Sequence, residues 1–415
     1  MNVSSPSTTP TQQTDRIPIV DVLRGFALFG ILFVNMLTFS RPFETFSLPI
    51  DPATPWFDRA AEWLILFLGE GKFYAMFSML FGLGFVLQMA RIQSHDGSFA
   101  PLYRRRLCVL LSIGILHAFL LWVGDILILY AFVGFLLLLF RKAKPRKLLV
   151  WVMILNILPL TFIVGLTMLV EFNTSISQIG YDKIQIIADL RTDAARAYHV
   201  YANGNFAEIT LHRINEFFSM VIASYLIMGF NVMAMFLLGV YFGKREVFRN
   251  LDANRNLFQK LLAWGLLIGL SGSVLYASLI HSTSHTKPTW PALLLSSFGH
   301  ALGAPFLMLA YVSALCLLAL SPSWDKRIAV LAPVGQMALT NYLAQSVVCT
   351  LVFYGYGLGL YGKMGSGMGI CLTIVIFLLQ IPFSHWWMKN FHYEPIEWLW
   401  RTLTYRKFHP FKRLG

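Results

Sequence analysis

Residues 126–170 decide the fold: ILILYAFVGFLLLLF (126–140), RKAKPRK (141–147) and LLVWVMILNILPLTFIVGLTMLV (148–170). Two apolar runs flank a short linker that holds five lysines and arginines. A transmembrane α-helix needs about 20 mostly apolar residues, and short loops rich in lysine and arginine stay on the cytoplasmic side of a membrane. This segment therefore predicts two membrane helices that are connected in the cytoplasm.

The composition of the whole chain extends this prediction. Apolar residues make up 57% of the 415 residues and charged residues only 13%, against roughly 25% charged residues in a typical soluble domain. That balance excludes a water-soluble fold, a disordered chain, collagen and a coiled coil. With the two above, ten apolar segments occur, at 17–38, 61–90, 107–124, 126–140, 148–170, 216–241, 261–281, 291–320, 328–357 and 367–387. We therefore predict an all-α, polytopic integral membrane helix bundle of about 10 transmembrane helices.

The positions of the basic residues predict the orientation of the bundle. With the N-terminus in the cytoplasm, 24 of the 33 lysine and arginine residues fall on the cytoplasmic side, and the opposite orientation reverses this bias. Both termini are therefore expected inside (N-in/C-in), in a multi-pass protein of the inner or plasma membrane of the cell. The basic residues flank apolar runs and form no stripe with interleaved aromatic residues. The net charge of +13 thus indicates contact with membrane lipids and not with nucleic acid.

Three regions are predicted along the chain. Residues 1–15 form a disordered cytoplasmic tail, and residues 16–388 form the transmembrane bundle. Within the bundle, residues 171–213 are expected to be an extracytoplasmic loop with an amphipathic helix, and loops of that length are often lids or binding loops. Residues 389–415 form a cytoplasmic tail, in which Pro395 begins an amphipathic helix at the membrane interface.

Two local features refine this outline. Segment 61–90 is interrupted by Glu70-Gly71-Lys72, which predicts an interfacial helix that ends near Leu68, before the second span. In the C-terminal helix, Glu397 and Arg401 stand at i and i+4, a spacing at which opposite charges pair on a helix surface.

His117 is the strongest candidate for chemistry, because an ionisable residue in hydrocarbon costs roughly 2.5–3.5 kcal/mol and usually marks function. It follows Arg106 by eleven residues, which is about 16 Å along a helix. We therefore expect its ring to face a passage that begins at a basic cytoplasmic entrance. A neutral imidazole can take up and return a proton near neutral pH. A core histidine bonded to a helix carbonyl is the alternative.

Asp125 lies eight residues beyond His117 and is taken with it as a candidate catalytic residue. Eight residues correspond to about 80° around one helix, which predicts no direct contact between the carboxylate and the imidazole. Two roles stay open for Asp125: contact with a substrate, and capping of the helix over 126–140.

Further polar residues lie at membrane depth and are candidates for substrate binding. Asp21 and Arg24, three residues apart, predict an ion pair, and Asn35 lies on the same stripe about three turns later. Glu70 and Lys72 predict a local pair at the helix break. In the ninth segment the polar residues cover half of the circumference, which indicates a buried helix or one that lines a polar cavity. Hydrogen bonds between helices are the alternative. These residues are Gln336, Thr340, Asn341 and Gln345.

Several motifs of soluble enzymes are absent. The sequence has no GxxxxGK[ST] phosphate loop, no HExxH and no cluster of histidine and cysteine, so no metal site and no permanently bound cofactor are predicted. The GxGxxG at 357–362 follows a membrane helix and not a β-strand, whereas this motif indicates dinucleotide binding only when it connects a strand to a helix.

Five motifs in order make the chain resemble the YeiB-type membrane family, also described as domain of unknown function 418. They are DVLRGFALFGILFVNM (21–36), EGKFYAMFSMLFGLGF (70–85), the arginine cluster that leads through His117 to WVGDIL (122–127), GQMALTNYLAQS (335–346) and PIEWLWRTLTY (395–405). The resemblance covers nearly the whole chain. Glu394 departs from it, because the family usually has glycine before this proline.

The family is more distantly similar to the transmembrane acyltransferases, which include heparan-alpha-glucosaminide acetyltransferase. The resemblance implies transfer of an acyl group from cytoplasmic acyl-coenzyme A (acyl-CoA, a co-substrate) to a glycan or lipid acceptor. In this interpretation His117 is a general base or transient acyl carrier, Arg104 and Arg105 hold the phosphates, and Asn35 and Asn341 orient the substrate. The full set of candidate substrate-binding residues is Arg24, Asn35, Glu70, Lys72, Arg104, Arg105, Gln336, Asn341 and Gln345.

Two other functions stay open at this stage. A transporter or permease for a small organic or lipid-linked solute would use the same buried polar groups without an acyl donor. A membrane scaffold would use none of them for chemistry. A homo-oligomer is compatible with each of these functions.

Overall fold

The computed structural model describes residues 16–48, 51, 53–93, 99–174, 180–283 and 290–408; across these ranges the protein is helical and contains no β-strand. The predicted tail over 1–15 lies outside the described residues. The helices are α1 (Pro18–Ser40), α2 (Trp56–Leu68), α3 (Lys72–Gln93), α4 (Phe99–Leu120), α5 (Leu127–Leu137), α6 (Pro145–Thr174), α7 (Gly180–Asn203), α8 (Phe206–Glu216), α9 (Ile222–Lys244), α10 (Arg255–Thr283), α11 (Trp290–Ala319), α12 (Asp325–Ile328), α13 (Ala332–Gln336), α14 (Ala338–Phe353), α15 (Ser366–Asn390) and α16 (Pro395–Tyr405). The all-α prediction is confirmed.

Within these ranges, seven stretches are long and apolar enough to cross a membrane. They are Pro18–Ser40, Trp56–Ile92, Pro145–Phe162, Phe206–Lys244, Arg255–His281, Pro291–Ala319 and Ser366–Asn390. Two shorter apolar stretches, Leu127–Phe140 and Ala338–Phe353, match the fourth and ninth predicted segments. The third predicted segment corresponds to α4, whose first half carries three arginines. The prediction of a helical membrane bundle is thus confirmed.

The third predicted segment ends earlier than the sequence suggested. Helix α4 stops at Leu120, because the backbone N–H groups of both Leu121 and Trp122 donate to the His117 carbonyl at 2.9 Å. The chain then runs through a non-helical turn to α5. This turn changes the direction of the Asp125 side chain and thereby its contacts in the site described below.

The ninth predicted segment, 328–357, is not one helix. It is divided into α12, α13 and α14, and the break before α14 falls at Met337, with φ −89° and ψ 33°. The break allows α13 to pack against α1, where a Cβ on Gly335 would lie 1.9 Å from the carbonyl oxygen of Asp21. Close packing of the two backbones therefore brings the start of α14 next to the cationic end of α1.

Helix α2 ends at Leu68, as predicted. It packs against α10 and α15, and together with α3 it forms the interrupted apolar stretch Trp56–Ile92. At the break, Gly71 has φ +83°, a left-handed conformation that glycine adopts without strain. Lys72 is 1% exposed, and its Nζ donates to the Leu66 carbonyl at 3.0 Å. This bond satisfies the end of α2, and the described side chains show no ion pair between Glu70 and Lys72.

The two predicted amphipathic segments are helical. The loop predicted over 171–213 contains α7 and the first part of α8, and α8 begins with a capping box formed by Asn205 and Glu208. Helix α16 covers the predicted residues 395–405 and packs against α4 and α14. It is therefore part of the bundle and not only an anchor on its surface.

Helices α3 and α9 form one of the closest helix pairs of the bundle. A Cβ on Gly82 would lie 1.9 Å from the Phe236 carbonyl oxygen, and one on Gly239 would lie 1.9 Å from the Met79 carbonyl oxygen. Only glycine permits this approach of two backbones. The pair fixes one wall of the cavity described below.

Candidate functional site: a cationic cavity beside a buried Asp-His-Ser chain

A cavity of about 910 Å³ opens at the end of the bundle that is predicted to be cytoplasmic. Residues of α1, α3, α4, α5, α13, α14 and α16 line it. Its charged lining residues are six arginines and three carboxylates, a surplus of three positive charges. They are Arg16, Arg24, Arg91, Arg106, Arg249, Arg401, Asp21, Glu394 and Glu397. Such a site favours an anionic ligand.

Two arginines of the cavity, Arg24 of α1 and Arg106 of α4, are held in place by neighbouring side chains. Arg24 donates to Asp21 at 3.1 Å, which is the predicted ion pair. The guanidinium of Arg106 stacks over the Trp400 ring at 3.9 Å, and the Trp400 indole N–H donates to the Arg106 carbonyl at 2.9 Å. Helix α16 thereby fixes Arg106 at the mouth of the cavity.

The cavity becomes apolar with depth. Leu28 and Ile31 of α1 lie about 15 to 20 Å along the helix from its first residue, and they share the lining with the aromatic residues Phe77, Phe81 and Tyr130. Four lining residues have buried polar atoms without a hydrogen-bond partner in the described residues: Gln88 Nε2, the hydroxyls of Tyr103 and Tyr342, and both carboxylate oxygens of Glu394. An unsatisfied buried polar group costs about 1–3 kcal/mol, so these atoms are suited to bind a polar part of a ligand.

Beyond the apolar end, three side chains form a continuous hydrogen-bonded chain. His117 Nδ1 lies 2.7 Å from Asp125 Oδ2, and His117 Nε2 lies 2.8 Å from the Ser346 hydroxyl. All three side chains are buried, with exposures of 2%, 3% and 0% for His117, Asp125 and Ser346. Their distances fall within the range expected of a nucleophile, a base and the group that orients the base.

The prediction that Asp125 does not touch His117 is therefore wrong. The estimate of 80° assumed that one helix continues through both residues, whereas α4 ends at Leu120 and the following turn brings Asp125 back to the ring. Asp125 also has the capping role that was left open, since its Oδ1 accepts the Ile128 backbone N–H at 2.7 Å in the first turn of α5. Its backbone carbonyl accepts the Tyr225 hydroxyl.

The expectation that His117 faces the passage also needs correction. His117 does not line the cavity, and Tyr342 does. The two rings lie side by side, with centroids 5.1 Å apart, so Tyr342 separates the imidazole from the cavity. The Tyr342 hydroxyl is buried and has no hydrogen-bond partner in the described residues.

Among the residues predicted to bind substrate, Arg24 and Gln336 line the cavity. Gln336 donates to Asp21 at 3.3 Å. Arg104 is exposed, and Arg105 donates to the Thr404 carbonyl of α16 at 3.1 Å. Neither Arg104 nor Arg105 lines the cavity, whereas Arg106 does.

The remaining predicted residues lie elsewhere. Asn341 donates to the Val334 carbonyl and to Ser384, and Gln345 donates to Gln380 at 2.9 Å. These bonds connect α14 to its neighbours, which is the interhelical role left open for these residues. Asn35, Glu70 and Lys72 lie outside the cavity lining as well.

The site residues that the sequence did not single out for binding or catalysis include Arg106, Tyr342, Ser346 and Glu397. Tyr342 and Ser346 lie in GQMALTNYLAQS, and Glu397 lies in PIEWLW, so the motifs contained them. The helical periodicity could have indicated Ser346, because it follows Tyr342 by one helical turn and so lies on the same face of the helix. No sequence pattern indicates that Ser346 contacts a histidine that lies 229 residues away along the chain.

Comparisons with known proteins agree with the resemblance carried by the motifs. Residues 242–407 match the family described as protein of unknown function (DUF418). The chain is 38% identical over 416 residues to the uncharacterized protein YxaH of Bacillus subtilis (strain 168), covering 97% of each chain. It is 29% identical over 415 residues to the uncharacterized protein YeiB of Escherichia coli (strain K12), covering 95% of this chain and 98% of that one.

A third relative is an uncharacterized 39.9 kDa protein in the amylase 3′ region of Bacillus acidopullulyticus, which is 28% identical over 402 residues, or 96% of this chain and 97% of the relative. No solved structure matches the chain. Because the similarity to YxaH extends over nearly the full length of both proteins, this chain belongs to the DUF418 family of helical membrane proteins.

Proposed function

We propose that this protein is a membrane acyltransferase. It takes an acyl-CoA from the cytoplasmic side and passes the acyl group to a hydroxyl or amine of a glycan or lipid acceptor. The proposal includes a location in the inner or plasma membrane of the cell, where a cytoplasmic donor and a membrane acceptor meet.

The observation that carries the proposal is the order of groups along the cavity. Arginines surround the mouth, apolar side chains surround the interior, and the Asp125–His117–Ser346 chain lies just past Tyr342. An acyl-CoA has the same order of chemistry, with phosphates, a long arm and a thioester. Arginine is well suited to phosphate, because its planar guanidinium donates two parallel hydrogen bonds.

Acyl transfer also needs a base that can accept a proton from a nucleophile and return it to a leaving group. His117 meets this need if the Tyr342 side chain moves aside when the donor binds. The Tyr342 hydroxyl has no well-formed hydrogen bond to break, so movement of this ring carries little cost in polar contacts.

The proposal is tested with the purified full-length protein in lipid nanodiscs. Acetyl-CoA, octanoyl-CoA and palmitoyl-CoA are titrated while the apparent Tm is followed, and release of free CoA thiol is measured with a lipid extract of the expression host as acceptor. At least one donor is expected to raise the Tm, and His117→Ala is expected to abolish thiol release. No stabilisation by any donor, or thiol release unchanged in His117→Ala, would contradict the proposal.

Transport of an amphiphilic anion is the second candidate function. It is favoured by the interrupted apolar stretch of α2 and α3, since transporters bind substrates and ions at interrupted helices within the membrane, and Lys72 is buried at this break. It is also favoured by the separation of His117 from the cavity. In proteoliposomes, a transporter would move a fluorescent lysophosphatidic acid between leaflets without acyl donor, and Lys72→Met would slow this movement.

A further inference from the structure

We infer that Ser346 is the nucleophile of the proposed acyl transfer, so that the reaction passes through an acyl-serine intermediate. This inference rests on the proposed function and specifies its chemistry. It differs from direct transfer between a bound donor and a bound acceptor, in which His117 acts only as a base.

The hydrogen bonds of His117 define the role of each member of the chain. A carboxylate only accepts, so Asp125 holds the proton on Nδ1 of the imidazole. Nε2 is then an acceptor, and the Ser346 hydroxyl donates to it at 2.8 Å. This is the tautomer that a general base needs in order to remove a proton from serine.

The position of Ser346 agrees with a role beyond packing. Ser384, on α15, is equally buried, and its hydroxyl accepts a hydrogen bond from Asn341. Ser346 instead directs its hydroxyl to the one ring nitrogen of His117 that Asp125 leaves open, while the Tyr342 carbonyl lies at 3.4 Å. A serine that merely bonds to its own helix, as many serines in membrane helices do, needs no histidine.

Tyr342 connects this chain to the cavity. It lies one helical turn before Ser346 on α14, lines the cavity, and contacts the His117 ring. Displacement of its ring therefore opens the path from the apolar end of the cavity to Ser346. Its hydroxyl, which lacks a well-formed partner, is then free to donate to the oxygen of a reacting carbonyl.

The reaction balances in two steps. In the first, Ser346 Oγ attacks the thioester carbonyl carbon, its proton moves to His117 Nε2, the carbon–sulfur bond breaks, and the thiolate takes the proton. In the second, the acceptor hydroxyl or amine gives its proton to His117 Nε2 and attacks the acyl-serine carbonyl. The serine oxygen leaves with that proton, which restores the chain. Asp125 stays ionised throughout and orients the ring.

An alkyl fluorophosphonate, which modifies activated serines covalently, tests the inference. The full-length wild-type protein in nanodiscs is treated with the probe, and the modified residue is identified by peptide mass spectrometry. We expect the adduct on Ser346, modification at least about tenfold slower in His117→Ala, and faster modification in Tyr342→Ala. Ser384→Ala is the matched control, because it removes an equally buried serine outside the chain and is expected to keep the adduct.

The mapping is made on the wild type, so the test does not depend on the folding of a Ser346 variant. Absence of an adduct on Ser346 in both the wild type and Tyr342→Ala, or equal rates in His117→Ala, overturns the inference. Thiol release from acyl-CoA separates the two proposals. If a folded Ser346→Ala variant still releases thiol, the acyl-serine intermediate is refuted but the proposed acyltransferase activity is not. If the wild type releases no thiol with any donor, the acyltransferase activity itself is refuted.

Discussion

Glu397 Oε1 accepts a hydrogen bond from the Leu339 backbone N–H at 2.7 Å, although the two residues are 58 positions apart in the chain. The same oxygen accepts the Thr340 N–H at 3.1 Å, and the Thr340 hydroxyl donates to the other carboxylate oxygen. The first N–H groups of a helix lack partners within that helix, and Met337 provides no side-chain cap for α14. A carboxylate from α16 therefore caps the helix that carries Tyr342 and Ser346.

Replacement of this cap is expected to destabilise the protein. Glu397→Ala leaves two amides and a hydroxyl of the first turn of α14 without their acceptor, and loss of an N-cap costs about 1–2 kcal/mol. The apparent Tm in detergent should fall by a few degrees. Glu246→Ala is the control, because the Glu246–Arg249 pair is more than half exposed and such pairs contribute little. Equal Tm values for the two variants would contradict the capping role.

The capping carboxylate also predicts a pH dependence of stability. Burial, together with the neighbouring Glu394 carboxylate, raises the pKa of Glu397 to about 7 from its ordinary value of 4.5. The folded protein then binds more protons than the unfolded chain between these values, so the contribution of this group is complete below pH 4.5 and is lost as the pH rises through 7. The Tm difference between wild type and Glu397→Gln should thus fall from pH 5 to pH 8. A difference that grows over this range would refute the assignment.

Arg106 is expected to carry much of the affinity for a phosphate-bearing ligand. It lines the cavity beside Trp400, and a charge-assisted hydrogen bond contributes about 1.5–3 kcal/mol. Arg106→Ala should therefore weaken binding of an acyl-CoA by roughly 10- to 150-fold in a titration at fixed ionic strength. Arg104→Ala, two residues away but exposed and outside the cavity, should bind as the wild type does. Equal losses in both variants would mean that general surface charge, and not the cavity, attracts the ligand.

Substitutions at two glycines of α3 distinguish an effect on ligand binding in the cavity from an effect on protein stability. Gly84 lines the cavity, and the nearest atom to a Cβ there is Arg24 Nη2 at 3.7 Å. Gly84→Leu should fold normally and weaken ligand binding by narrowing the cavity. Gly82→Ala places a Cβ 1.9 Å from the Phe236 carbonyl oxygen, and overpacking of this kind costs 1–3 kcal/mol or more. Size-exclusion profiles, Tm and ligand titration on both variants measure the contrast; ligand binding in Gly84→Leu as tight as in the wild type would contradict the location of the site.

The fold was largely predictable because hydrocarbon imposes a single requirement on sequence. Every backbone polar group must be bonded internally, so spans are apolar and helical, and the lengths of apolar segments give their positions. The errors fell where a helix ends inside an apolar segment, at Leu120 and at Met337. There the termination depends on local hydrogen bonds and on contact with α1, neither of which affects hydropathy.

The candidate site was predictable only in part. The depth of His117 and the cationic entrance follow from helix rise and composition. The choice among Arg104, Arg105 and Arg106 does not, because successive residues point about 100° apart on a helix and the neighbouring α16 decides which one faces the cavity. Ser346 is equally inaccessible to such reasoning, since a serine among apolar residues is common in membrane helices and its partner lies on another helix.

The cap of α14 by α16 has a consequence for biogenesis. During translation α14 is synthesised before Glu397, so the amides of its first turn lack this acceptor until α16 has been made. Until α16 docks, the nascent bundle also lacks Trp400 and with it one side of the ligand chamber. The wall of the cavity that α16 supplies therefore forms only after this last helix has been synthesised and has docked.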